Sequence, residues 1–196
     1  MPFIETLKNI DSAILLWINS RHSDTLDTLM WNASGRYTWI PLYLVFAYFV
    51  IQAYGRRSWL PIVCVVVAVV LADQASNHLF KNIIMRYRPS HNLTLQSQLH
   101  YVNGYIGGLY GFASSHASNT TAFAVFMILL FRKWVVTISL VCWVLLVCYS
   151  RLYLGVHYPS DIIGGMLIGT ITGCVMFWVH RIFARKINSK EKQASG

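Results

Sequence analysis

The stretch Ser150-Arg151-Leu152-Tyr153-Leu154-Gly155-Val156-His157-Tyr158-Pro159-Ser160-Asp161 joins two strongly apolar runs, 134–150 and 160–183. Ionisable residues beside or inside a membrane span are costly and mark functional sites. Here an arginine can bind an anion, a histidine can attack or move a proton, and an aspartate can hold the imidazole. Water reaches such a junction while hydrocarbon begins a turn away. The grouping points to chemistry on a phosphate.

Composition agrees with a membrane solvent. The chain has 196 residues, 56% hydrophobic and 12% charged. A soluble domain carries about 25% charged residues. The length fits one domain over 1–196. The net charge of +9 raises nucleic acid as a partner, but no basic stretch interleaves with aromatics as a single-strand groove requires. Anionic lipid or phosphate is the expected partner, with no nucleic acid. Cys64, Cys142, Cys148 and Cys174 all fall in apolar runs without a Cys-x-x-Cys pair. They read as buried thiols, neither a zinc site nor a disulfide framework.

A bilayer core of about 30 Å needs about 20 helical residues. Five stretches qualify, 38–55, 59–80, 114–131, 134–150 and 160–183. The expected fold is therefore all-α, a polytopic membrane helix bundle of five spans. Residues 1–36 form its interfacial helices or a short sixth span. Phe3, Leu7, Ile10, Ile14 and Trp17 recur at helical spacing, as in an amphipathic interfacial helix. Glu5, Lys8 and Asp11 interrupt that run, so no signal peptide is expected. Asp24 is read as the cap of a further short helix through Trp31. Gly165, Gly169 and Gly173 at i, i+4, i+8 read as a close-packing seam within one chain rather than between two, and a monomer is expected.

Sidedness follows from the basic residues. Arg56, Arg57, Arg132, Lys133, Arg181, Arg185, Lys186, Lys190 and Lys192 lie in two tight turns, at the end of the last apolar run and in the tail 184–196. Lys and Arg favour the cytoplasmic side. The segment 81–113 and the turn 151–159 then face outside. The chain is expected in a bacterial cytoplasmic (inner) membrane with its site on the extracytoplasmic face.

Three separated groups meet on that face. They are Lys81 with Arg88-Pro89, then Ser114-Ser115-His116, then Ser150-Arg151 with His157 and Asp161. This arrangement resembles the type 2 phosphatidic acid phosphatase (PAP2) superfamily, whose signature is Lys-x6-Arg-Pro, Pro-Ser-Gly-His and Ser-Arg-x5-His-x3-Asp. The first and third elements match completely. In the second, Ala113 stands for the proline and Ser115 for the glycine.

The resemblance implies a lipid phosphatase working through a phosphohistidine. His157 is the implied nucleophile, Asp161 the group that fixes its tautomer, and His116 the acid and base. Lys81, Arg88, Ser114, Ser115 and Arg151 are the implied phosphate ligands. No cofactor or metal is expected, since no carboxylate cluster exists to hold Mg²⁺. The implied substrate is an amphiphilic lipid phosphate: undecaprenyl diphosphate, phosphatidylglycerol phosphate, phosphatidic acid or lipid A. Two alternatives are a phosphotransferase using the same intermediate and a non-catalytic lipid-phosphate-binding or flipping protein. Asp73, Gln74, Asn77 and His78 read as polar bundle contacts, Arg86 as a phosphate or headgroup contact. The glycines of 90–112 read as a mobile segment near His91 and His100. His22 and His180 receive no role.

Overall fold

The computed structural model describes the backbone of residues 2–194 and the side chains of 5–189. Among these residues every regular element is helical: α1 Pro2–Asn19, α2 Asp24–Ala33, α3 Ile40–Tyr54, α4 Trp59–Gln74, α5 Lys81–Ile84, α6 Ser115–Phe131, α7 Trp134–Tyr153 and α8 Pro159–Ala194. Each expected span is a helix. Among the described residues three stretches are long and apolar enough to cross a membrane, Trp59–Ile84, Trp134–Tyr153 and Pro159–Ser189. The helix α6 is a shorter apolar one of 17 residues, and α3 has 15.

Four expectations are corrected. The second span does not end before Lys81. A π-helical turn, Ala75–Phe80, carries α4 straight into α5, so Lys81 is helical. The basic tail is not a separate segment, because α8 continues to Ala194. Ser23, not Asp24, caps α2: it has extended backbone and its side chain accepts from the Leu26 N–H, as an N-cap does. Of the cysteines, Cys64 and Cys148 are buried, whereas Cys142 and Cys174 are on the surface. In hydrocarbon an apolar residue gains little by facing inward, so an apolar run does not separate the two cases.

The glycine stripe sets the architecture. A Cβ on Gly165 would lie 2.4 Å from the Ser114 carbonyl oxygen, one on Gly169 2.3 Å from that of Ser118, and one on Gly173 2.8 Å from that of Ala122. Three glycines on one face of α8 thus rest directly on three backbone carbonyls of α6. Without side chains between them the two axes approach as closely as helices can. The seam continues to the loop end, where the Ser114 N–H donates to the Asp161 carbonyl at 3.0 Å.

The first helix runs across that same end. Leu15 of α1 packs with Leu95, Leu99 and Tyr158. Asn19 donates to the carbonyls of Tyr153 (2.7 Å) and His100 (3.0 Å). The opposite face of α1 leaves Leu7, Ile10, Ile14 and Trp17 exposed, the amphipathic division expected from their spacing. At the other end of the bundle Arg57 donates to Asn188 near the end of α8, so the basic turn 55–58 and the basic end of α8 share a side.

Candidate active site

Two local devices deliver His157 and Asp161. Gly155, at φ +67°, takes the left-handed conformation that ends a helix at low cost. Its N–H donates to the Leu152 carbonyl at 3.0 Å, and α7 stops there. Pro159 then opens α8, a favoured first helical position. Asp161 therefore falls in the first turn of α8, and four residues of spacing bring its carboxylate to His157. The Asp161 Oδ2 lies 3.4 Å from His157 Nδ1 and accepts the Tyr158 N–H at 3.0 Å. The first of these is long for a hydrogen bond.

On the other side of the ring, Arg88 Nη1 stands 3.0 Å from His157 Nε2. A guanidinium has only donors, so Nε2 must accept and Nδ1 must carry the proton toward Asp161. The partners leave one consistent tautomer, with the lone pair on Nε2. His157 is 1% exposed and Asp161 0%. Burial first, then the charges of Arg88 and Arg151, hold the His157 imidazole well below its ordinary protonation range. The ring is neutral at neutral pH.

Arg88 is placed by the loop between α5 and α6. An antiparallel bridge joins Tyr87 and Tyr110. The Arg88 N–H donates to Leu109 and the Gly111 N–H to Arg86, at 3.0 and 2.9 Å. The side chain donates to the carbonyls of Tyr110 and Val156, each at 3.1 Å. Burial and the neighbouring Arg151 lower its pKa to about 10, which still leaves it charged at neutral pH. The loop glycines here serve close packing: a Cβ on Gly111 would lie 2.8 Å from Asp161 Oδ2, and one on Gly107 3.1 Å from Arg88 Nη1. Two of the glycines in the segment read as mobile are thus in close contact, whereas a Cβ on Gly104 or Gly108 would meet nothing within 4 Å.

The remaining cations are oriented as firmly. Arg151, in the last turn of α7, donates to the Ser34 hydroxyl and, at 3.2 Å, to the Tyr105 hydroxyl. Its buried Nε has no hydrogen-bond partner among the described residues. Lys81 Nζ donates to Asn77 Oδ1. Asn77 and Asn119 in turn donate to Asp73 Oδ1 at 2.8 and 2.9 Å. The positive charges of Lys81, Arg88 and Arg151 all act on His157, as does His116. Arg88 meets His157 and the Ser114 N–H meets the Asp161 carbonyl, so the three sequence groups converge. His116 sits in the first turn of α6, beside the Ser34 main chain. Ser114 is fully buried and caps α6, its Oγ accepting the Ala117 N–H at 3.5 Å. Ser115 is half-buried at the start of the same helix.

Other candidates lie elsewhere or act otherwise. Ser150 turns back to the Val147 carbonyl at 2.7 Å. Arg86, read from the sequence as a phosphate or headgroup contact, bridges the carboxylates of Asp11 and Asp161, at 2.7 and 3.2 Å. His91 pairs with Ser90 in the loop. His100 meets Asp27 at 2.7 Å and stacks on His22. His180 is buried among Tyr54, Phe126 and Phe177. The residues not anticipated at the site are Ser34, Tyr105 and Asp11. No local pattern marks them, because each reaches the site from a distant segment.

Known proteins resemble this chain in both sequence and fold. The profile of the PAP2 superfamily matches residues 61–185. The lipid A 4'-phosphatase of Bacteroides thetaiotaomicron is 38% identical over 188 residues, covering 93% of this chain and 82% of that protein. The lipid A 4'-phosphatase of Porphyromonas gingivalis is 33% identical over 183 residues, covering 93% and 77%. Among solved structures, that of Aquifex aeolicus LpxE aligns at a TM-score of 0.65 and 22% identity, covering 84% of this chain and 92% of that one. A transmembrane PAP2-type phosphatidylglycerolphosphate phosphatase from Bacillus subtilis aligns at 0.60 and 22%, covering 93% and 88%. The fold is that of solved transmembrane proteins, and the chain, an integral membrane protein, belongs to the PAP2 superfamily.

Proposed function

We propose that this protein is a membrane lipid phosphatase that removes the 4'-phosphate of lipid A through a phosphohistidine on His157. The observation that carries the chemistry is the chain Arg88–His157–Asp161, which leaves the Nε2 lone pair as the reactive position. The choice of lipid A rests on the two relatives of that activity, each aligned over most of both chains.

The steps follow from the donors present. A phosphate entering between Lys81, Arg88 and Arg151 meets three cations, and the unpartnered Arg151 Nε offers a further N–H. Ser114, Ser115 and the first turn of α6 lie beside it as the remaining donors. The phosphate takes over the Arg88 Nη1 donor from His157, freeing Nε2. Nitrogen then attacks phosphorus, the ester P–O bond breaks, and His116 gives its proton to the departing sugar oxygen. Asp161 accepts the Nδ1–H throughout and stabilises the cationic ring. In the second half His116 takes a proton from water as its oxygen attacks phosphorus. The P–N bond breaks, releasing inorganic phosphate and restoring neutral His157. Positioned positive charge supplies most of the stabilisation in such transfers.

Orientation belongs to the same proposal. The site lies on the extracytoplasmic face of the bacterial inner membrane, and α1 and α2 lie in that interface. Support comes from Arg56, Arg57, Arg132, Lys133, Arg181, Arg185 and Lys186, which the helix order places at the end away from the site. The test is phosphate release by the purified protein from lipid A, glycerolipid phosphates and isoprenyl diphosphates, with mass spectrometry to locate the phosphate lost. Lipid A lacking its 4'-phosphate, and a His157→Ala variant without turnover, are the expected results. Turnover by His157→Ala sinks the nucleophile, a preference for another lipid sinks the substrate, and dependence on an alcohol acceptor makes the protein a transferase.

A further inference from the structure

We infer that Asp11 and Arg86 are positioning residues for the His157–Asp161 pair, so that α1 is a working part of the active site. The inference rests on the hydrolase reading above but uses residues outside its signature.

Asp161 is wholly buried. A buried carboxylate is held in ionised form only by charge and hydrogen bonds. One of its oxygens, Oδ2, serves His157 and the Tyr158 N–H; the other, Oδ1, accepts from Arg86 Nη1 at 3.2 Å. Arg86 is fixed in turn from two directions. Its Nη2 donates to Asp11 Oδ2 at 2.7 Å, and its guanidinium lies over the Tyr158 ring, 3.8 Å from the centroid. The fork thus joins two carboxylates with one planar group, a geometry that lysine does not reproduce.

Asp11 does a second thing. Its Oδ1 accepts the Ser160 N–H at 2.9 Å, and its Oδ2 accepts the Ser160 hydroxyl. Ser160 stands in the first turn of α8, where N–H groups lack partners within the helix and the dipole favours an anion. A carboxylate from α1 therefore caps the turn that carries Asp161. Asp11 is buried although its own helix exposes an apolar face around Ile10 and Ile14. One residue of a peripheral helix fixes both the backbone and the charge of the catalytic pair.

Shifts of about 1 Å at a reacting group cost on the order of 10²-fold in rate. Asp11→Asn keeps the size and an acceptor for Ser160 but removes the charge on Arg86. Its kcat should fall roughly 10- to 100-fold, with KM within about twofold, and the loss should reside in phosphoenzyme formation measured with a labelled substrate. Asp11→Glu should recover much of the rate. In a double-mutant cycle with Arg86→Gln the two losses should not add. Rates are taken per molecule of folded protein, counted by size-exclusion chromatography and thermal melting, so poor folding does not mimic the effect. Unchanged kcat in Asp11→Asn, a loss confined to KM or to the folded fraction, or strict additivity with Arg86→Gln overturns the inference. If these occur while His157→Ala remains dead, the hydrolase reading stands. If His157→Ala turns over, it is the hydrolase reading that falls.

Discussion

Replacing Gly169 with alanine tests how the site depends on the seam between α6 and α8. The new Cβ would lie 2.3 Å from the Ser118 carbonyl oxygen, 2.8 Å from Thr121 Cβ and 2.9 Å from the Ala122 nitrogen. Two of these atoms are helix backbone and the third is tied to it, so no side chain can swing aside. Ordinary contact begins near 3.4 Å, and α8 must retreat by about 1 Å to reach it. Gly169 is two turns from Asp161, and a stiff helix carries the displacement to its first turn. The Ser114 N–H to Asp161 carbonyl bond, now 3.0 Å, would stretch to about 4 Å and be lost. Overpacking of this kind costs about 1–3 kcal/mol. Asp161 moves with α8 while His116 stays with α6, so turnover should fall on the order of 10²-fold. The assays are thermal melting and phosphate release, with Gly108→Ala as control because nothing lies within 4 Å of its Cβ. A Gly169→Ala enzyme with native melting and full turnover would refute the reasoning.

Three further outcomes follow from the geometry. His157 is held neutral in the fold by burial and then by Arg88 and Arg151, whereas in the unfolded chain it protonates below about pH 6.5. The unfolded state then binds the extra proton, so stability should drop as pH falls from 7 to 5; His157→Asn should show a shallower drop in melting temperature, and equal slopes would count against the assignment. Asn77→Ala frees Lys81 from the amide oxygen that holds it and should raise KM several-fold with a smaller effect on kcat, as measured by initial rates over substrate concentration. Arg151→Lys keeps charge but loses the fork that meets Ser34 and Tyr105 together; turnover should drop at least tenfold, and near-native rates would show that a point charge suffices.

What could be read in advance was local. Lys81, Arg88, Arg151, His157 and Asp161 announce themselves because phosphate chemistry needs those groups at spacings that helix ends impose. The apolar runs gave the helices because a bilayer requires length and little else. The π-helical turn at Ala75–Phe80 left no mark, since its residues differ little from those of an α-helix. Arg86 was visible but assigned to phosphate or lipid headgroups; its partner Asp11 lies 75 residues away, and no spacing rule links them. Asp11 itself looked like a polar interruption of an interfacial helix. Tyr105 and Ser34 were missed for the same reason, as each meets Arg151 only through the tertiary fold. Ser23 and Asp24 are both good caps, and only the backbone conformation chose between them.

The contact between Arg88 and His157 has a chemical consequence. In this structure the guanidinium covers Nε2, the nitrogen proposed as the nucleophile. Electrophiles that modify free imidazoles, and neutral lipids that drift past, find no exposed lone pair. Only a ligand with enough negative charge to draw the guanidinium away uncovers the reactive atom. On the proposed mechanism the enzyme would be armed by its own substrate and inert in a bilayer crowded with other amphiphiles.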